Sequence, residues 1–142
     1  MTGPRAAAAY FGLVFGCGFA LGTVRQLLLL PRLGERAAEL IELPFMLTAI
    51  ALAGRWIARR HRDRPPRWHV ALGAIALAMM LGAELTMAWL LRARDPVATL
   101  VDRDPIAGAA YALGLLAFAA MPWLWARRAA APTPAGRRVT GS

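Results

Sequence analysis

The chain has 142 residues, 58% of them hydrophobic, with a mean hydropathy of +0.47 and a formal net charge of +9 at pH 7. Soluble domains are only about 45–50% apolar, so the composition excludes an ordinary soluble domain and indicates an all-α integral membrane protein. Cys17 is the single cysteine, which excludes an intramolecular disulfide and a cysteine-based metal site.

Four apolar segments, taken in chain order, span about residues 6–30, 37–58, 68–91 and 106–126. A helix of about 20 residues crosses the roughly 30 Å hydrocarbon core, and each segment reaches that length. Helices are required because backbone polar groups that face lipid must bond within their own segment. Short connections, with a tight turn expected at 31–36, predict an up-down four-helix bundle over 1–128. The tail over 129–142 is basic and is expected to be disordered.

The arginines predict the orientation, because cytoplasmic loops of membrane proteins carry an excess of Lys and Arg. One side holds Arg5, Arg59, Arg60, Arg62, Arg64, Arg67, Arg127, Arg128, Arg137 and Arg138. The other side holds Arg32, Arg36, Arg92, Arg94 and Arg103. Both termini and the middle loop are therefore expected in the cytoplasm. The absence of lysine beside many Ala, Gly and Pro residues points to a GC-rich bacterium, so the expected location is the bacterial inner membrane.

The basic middle loop is interpreted as a topology determinant. Binding of anionic lipid or of nucleic acid is the alternative, and no nucleic-acid partner is expected. His61 and His69 lie in or beside this loop and are expected to be interfacial and solvated.

Glycines in the first segment predict close helix packing. Gly12 and Gly16 form one small-residue pair at four-residue spacing, and Gly18 and Gly22 form another. Small residues let helix backbones approach where lipid supplies no hydrophobic drive for association. At 100° per residue, Gly18 and Gly22 share a stripe with Arg25, and Gly16 lies nearly opposite. One face is expected to meet the bundle, and the other a second copy or a larger membrane-protein partner.

Charged residues inside the segments are the candidate functional site. Arg25, Glu39, Glu42 and Glu84 all fall within roughly 3–10 Å of the outer membrane surface, at 1.5 Å rise per residue. An ionised group in a span is unfavourable by about 2.5–3.5 kcal/mol, so each is expected to face the bundle or a water cavity and to find a partner. Arg25 is the nearest counter-charge for the acids, and Glu84 is the deepest acid.

Structural explanations compete with functional ones at each of these positions. Glu35 and Glu39 fit helix-start acids near headgroup water, and an Arg25–Glu42 pair fits a structural role. For Glu84 the two explanations are evenly balanced. A Met80–Glu84–Met87 face is compatible with Cu(I), but methionine is ordinary core filler, so no metal or other cofactor is expected.

The sequence carries no catalytic motif: no serine with a His and an acid at usable spacing, no glycine-rich phosphate loop and no second cysteine. The expected role is therefore non-enzymatic. The first interpretation is an accessory or scaffold protein that associates through its glycine faces. The alternative is a small proton-coupled or cation carrier, acting as a dimer, with Glu84 and Glu42 as titrating sites and Arg25 as counter-charge.

Overall fold

The computed structural model describes residues 2–92 and 104–130, and the elements in that part of the chain are all helical, which confirms the all-α class. Their bounds are α1 Gly3–Val24, a π-helical segment Arg25–Leu29, α2 Leu30–Arg60, α3 Pro66–Arg92 and α4 Pro105–Ala130. Most of the predicted connection between the third and fourth segments, and the tail from 131 onward, lie outside the described residues. Helix α4 extends to Ala130.

Three helical stretches are long and apolar enough to cross a membrane: Gly3–Arg60, Pro66–Leu90 and Pro105–Ala130. Large apolar side chains cover their outer surfaces, with Leu27 71% exposed and Leu116 68% exposed. An apolar surface of this extent is unfavourable in water and favourable in hydrocarbon. The fold is therefore that of a membrane protein.

The longest stretch is interrupted at two points that the sequence explains. Pro31 has no N–H, and its ring clashes with the carbonyl four residues earlier. The helix widens before it, so that the Leu30 N–H reaches the Arg25 carbonyl, one residue further back than in an α-helix. Gly34 then leaves helical geometry, with φ 78° and ψ 172°, a conformation that glycine adopts without a Cβ clash. Gly34 lies within the turn expected over residues 31–36.

Pro44 lies inside α2 without breaking it. The only residue of α2 with non-helical dihedral angles is Gly34. The Thr48 hydroxyl donates to the Pro44 carbonyl oxygen at 2.8 Å. This is an ordinary side-chain bond to the carbonyl four residues earlier, whereas the carbonyl that loses its N–H donor to Pro44 is that of Leu40.

Helices α1 to α4 of the described residues contribute to one core, which contains Ala6, Ala7, Tyr10, Val14, Ile50, Ala53, Ile57, Leu72, Ala76, Met80 and Phe118. The Tyr10 ring stacks on the Phe118 ring with centroids 4.7 Å apart. The buried Tyr10 hydroxyl donates to the Phe118 carbonyl oxygen at 2.7 Å. This contact joins α1 to α4, the helices most distant in sequence, by both packing and a hydrogen bond.

The closest helix approaches occur at two glycines outside the first segment. A Cβ on Gly54 would lie 2.6 Å from Met121 Cγ, which places α2 directly against α4. A Cβ on Gly73 would overlap the carbonyl oxygen of Ala119, so α3 and α4 meet there backbone to backbone. Small residues at these two positions therefore set the spacing of α4 against its neighbours.

Candidate functional site

The π-helical segment places Arg25 opposite the start of α2, where it pairs with two acids. Arg25 Nη1 donates to Glu39 Oε1 at 2.9 Å, and Arg25 Nε lies 3.1 Å from Glu42 Oε2. The side chains of Arg25, Glu39 and Glu42 are 21%, 8% and 16% exposed. Glu39 and Glu42 are three residues apart on one helix face, so one guanidinium reaches both carboxylates.

Glu39 differs from the expectation of a solvated helix-start acid. It is buried, and its carboxylate accepts the hydrogen bond from Arg25. The helix reversal at Gly34 folds α2 back along the π-helical segment, which brings Arg25 over Glu39. Glu35 stays exposed, one residue after the reversal.

Glu84 of α3 has a partner on α4 that the sequence did not reveal. The Tyr111 hydroxyl donates a hydrogen bond to Glu84 Oε2. Tyr111 is one of two tyrosines in the chain, and a phenol in an otherwise apolar segment carries a polar end that is satisfied when buried. This hydroxyl was the feature of the sequence that could have identified the partner of Glu84, because a carboxyl group removed from water needs a hydrogen-bond donor.

These charged groups line a half-open cavity of about 1060 Å³ at the end of the bundle that carries Gly34, which we call the turn end. The polar wall contains Arg25, Glu35, Glu39, Glu84 and Tyr111. The apolar wall contains Val14, Phe15, Phe19, Met46, Met80, Leu81, Leu85, Met87 and Leu115. The cavity therefore joins an acid-rich end to an aliphatic and aromatic end, which suits an amphipathic ligand.

The four glycines of the first segment fall in two different environments. Gly18 and Gly22 line the cavity, and a Cβ on Gly18 would meet the flexible end of Met46 at 3.4 Å. Gly12 and Gly16 are exposed, and a Cβ on either would meet nothing within 4 Å among the described residues. The structure thus separates a cavity-facing pair from an outward-facing pair.

An ion pair closes the turn end beside the cavity. Arg36 donates to both carboxylate oxygens of Asp104, at 2.8 Å and 3.2 Å. The Asp104 carboxylate also accepts the Ile106 and Ala107 backbone N–H groups at 3.1 Å and so caps the N-terminus of α4. The hydrogen bond from Arg36, followed by those from the α4 backbone, lowers the pKa of Asp104 from 3.8 to about 2. This contact ties the start of α4 to the reversal between α1 and α2.

Within residues 2–92 and 104–130, no group of three or more His, Cys, Asp or Glu side chains is placed to hold a metal ion. Met80 and Met87 line the cavity beside Glu84, together with Met46, as part of its apolar wall.

Comparison with protein families, with curated proteins and with solved structures finds no match to this chain. The functional argument therefore depends on the geometry of the cavity and of the helix surfaces.

Proposed function

We propose that this is a non-enzymatic, four-span protein of the bacterial inner membrane that binds a hydrophobic cation in the turn-end cavity and carries it in exchange for a proton. The observation that carries the proposal is the cavity itself. It is about 1060 Å³, large enough for a drug-sized molecule, and its polar and apolar walls face the same space.

Four spans follow from the reversal at Gly34. On each side of Gly34 the helix is longer than the about 20 residues that cross a bilayer. The Arg25–Glu39 ion pair and the approach of Gly18 to Met46 hold the two halves side by side. The arginine distribution supports a turn end that faces outside and a cytoplasmic loop between α2 and α3.

Cysteine labelling tests this topology in a Cys17→Ala background. Arg32→Cys should react with an impermeant maleimide on intact spheroplasts, and Arg59→Cys should react only after lysis. The opposite pattern would contradict the orientation. Labelling of both sites from outside would contradict the four-span arrangement.

The charges favour a cationic ligand over an anionic one. The cavity wall holds three carboxyl groups, Glu35, Glu39 and Glu84, against one guanidinium, Arg25. Arg25 also pairs with Glu42 behind the wall. Among the described residues of the wall, carboxyl groups therefore outnumber guanidinium groups three to one, and this excess of acids favours a cation.

Glu84 is the proposed exchange site. Glu84 lines the cavity from α3, and the Tyr111 hydroxyl donates a hydrogen bond to its carboxyl group. A neutral Glu84 next to the apolar wall avoids an ionised group in a span. Binding of a cation lets the Glu84 carboxyl release its proton, so the charge of the site stays constant.

Binding of tetraphenylphosphonium to the purified full chain tests the proposal, with proton release followed by a pH indicator. Wild type should bind the cation and release a proton. Glu84→Gln should bind about tenfold more weakly, equivalent to roughly 1.4 kcal/mol, and should release none. Asp63→Asn removes the same charge at an exposed site far from the cavity and should match wild type. Wild-type binding and proton release in Glu84→Gln would contradict the exchange role.

The outward-facing pair Gly12 and Gly16 supports a second candidate function, an accessory protein that packs against a second copy or a larger membrane partner. Leucine substitutions separate the two functions. Gly16→Leu should disrupt association in native mass spectrometry and leave cation binding intact. Gly22→Leu fills the cavity wall and should block cation binding without changing association. If Gly16→Leu associates like wild type, the glycine face is not an interface.

A further inference from the structure

We propose that the opposite end of the bundle, which carries residues 61–65 and which we call the loop end, holds a phosphate-binding site formed by Arg62, Arg64 and His69. The ligand chemistry is a single phosphate group, supplied either by a phospholipid headgroup or by free phosphate. This site is independent of the cation cavity, which lies at the other end of the helices.

A small pocket provides the space. It is about 110 Å³, well above the roughly 10–15 Å³ that a single water requires, so a tetrahedral oxyanion has room in it. Its lining residues are Ala58, Arg62, Arg64, Pro66, His69, Ala126, Ala129 and Ala130. The end of α2, the start of α3 and the end of α4 therefore meet around it.

His69 supplies the polar group that a ligand is needed to satisfy. The expectation of a solvated His69 is wrong, because its side chain is only 1% exposed. Within the described residues its Nε2 atom is buried without a hydrogen-bond partner, although buried polar groups are nearly always paired. His61 is also buried, at 5% exposed. The Trp68 ring contacts the rings of both His61 and His69.

The other ring nitrogen of His69 decides what Nε2 can bind. His69 Nδ1 lies 3.4 Å from the Pro65 carbonyl oxygen, which can only accept a hydrogen bond. Nδ1 is therefore the N–H side of the ring. When the ring is an imidazolium, Nε2 is a second N–H donor, and an oxyanion is the acceptor that both completes its hydrogen bonding and balances its charge.

The surrounding charges favour an anion. The guanidinium groups of Arg62 and Arg64 give two planar donors suited to phosphate oxygens. Asp63 is the nearby acid, but its carboxylate lies 3.8 Å from Arg64 Nε and is 78% exposed, so it neutralises Arg64 little. Helix α3 begins at Pro66 in the same pocket, and the dipole at a helix N-terminus adds to the attraction for an anion.

Two double variants of the full chain test the site. Arg62→Gln/Arg64→Gln removes both pocket arginines, and Arg59→Gln/Arg60→Gln removes the same charge from neighbouring residues outside the pocket. The pairs are closely matched: all four side chains are exposed, Arg64 lies over Trp68 at 5.8 Å, and Arg60 lies over Trp56 at 5.9 Å. Neither pair contributes to the core, so both variants should fold.

The two phosphate sources are tested separately on delipidated protein in detergent. Inorganic phosphate is titrated calorimetrically, and phosphatidylglycerol adducts are counted by native mass spectrometry. Loss of about tenfold in affinity for either probe in the pocket variant, with the control pair at wild-type affinity, supports the site and identifies the source. Equal weakening in both variants would show general attraction by the basic loop and would overturn the proposal. So would the absence of binding of either probe to wild type, or wild-type affinity in the pocket variant.

Discussion

Gly73 offers the sharpest test of the packing, because its space is filled by backbone. A methyl group at this position would lie 3.0 Å from the Ala119 carbonyl carbon and would overlap the carbonyl oxygen. A backbone group cannot rotate away as a side chain can, so Gly73→Ala must push α3 and α4 apart, by about 1 Å. A gap of roughly 0.5–1 Å removes a quarter to a half of each atom-pair attraction, which is about 0.25–1 kcal/mol for every ten atom pairs across the interface.

The expected result is a loss of about 1–3 kcal/mol in the free energy of unfolding, the usual range for overpacking. Gly82→Ala is the matched control on the same helix, because Gly82 is exposed and a Cβ there meets nothing within 4 Å. It should be neutral, or more stable by up to about 1 kcal/mol from helix propensity. Reversible unfolding in mixed micelles with increasing SDS measures both. If Gly73→Ala is as stable as Gly82→Ala, the close approach of α3 to α4 is refuted.

Three further perturbations test the ion pairs and the core. Arg25→Gln removes the guanidinium that pairs with Glu39 and Glu42 and should lose about 3–5 kcal/mol in the same unfolding assay. Arg32→Gln, at an exposed position, should lose almost nothing, and equal losses would contradict the pairing. Tyr10→Phe should keep the ring stacking but leave a buried carbonyl unsatisfied, and should lose about 1–3 kcal/mol; wild-type stability would contradict the hydrogen bond. Asp104 is ionised more readily in the folded protein, so its contribution to stability is complete above pH 3.8 and is lost as pH falls towards about 2. Arg36→Gln should flatten that fall in an acid titration of the thermal midpoint, and an unchanged acid titration would contradict the role of the ion pair.

The charged layer shows how far depth along a helix can be read from sequence. A rise of 1.5 Å per residue places Arg25, Glu39, Glu42 and Glu84 at similar heights once the chain reverses between the first two segments. The structure brings Arg25, Glu39 and Glu42 into direct contact. Glu84 lines the same cavity. Its hydrogen bond comes from Tyr111 on α4, the helix that contributed no residue to the predicted charge cluster. Tyr111 was missed because the choice of α4 as the neighbour of α3 at this height depends on the three-dimensional packing.

The histidines show the opposite case, in which local sequence pointed the wrong way. A run of arginines around His61 and His69 is typical of a solvated loop. The connection between α2 and α3 is short, however, and α3 begins at Pro66, so His69 is already in the first turn of a packed helix. Burial at that position follows from the tertiary contact of the loop end with α4, and the sequence around the histidines carries no sign of it.

The sequence by itself determined the class of the protein and the break at Gly34 that reverses the chain. Both follow from local rules: apolar segments of sufficient length favour helices in hydrocarbon, and glycine accepts a positive φ. The tertiary structure alone decided which faces of the helices meet. Gly12, Gly16, Gly18 and Gly22 satisfy the same spacing rule as any packing motif, yet the closest approaches are at Gly54 and Gly73. The rotation of each helix about its axis is set by many weak contacts with segments distant in the chain, and no local pattern contains that sum.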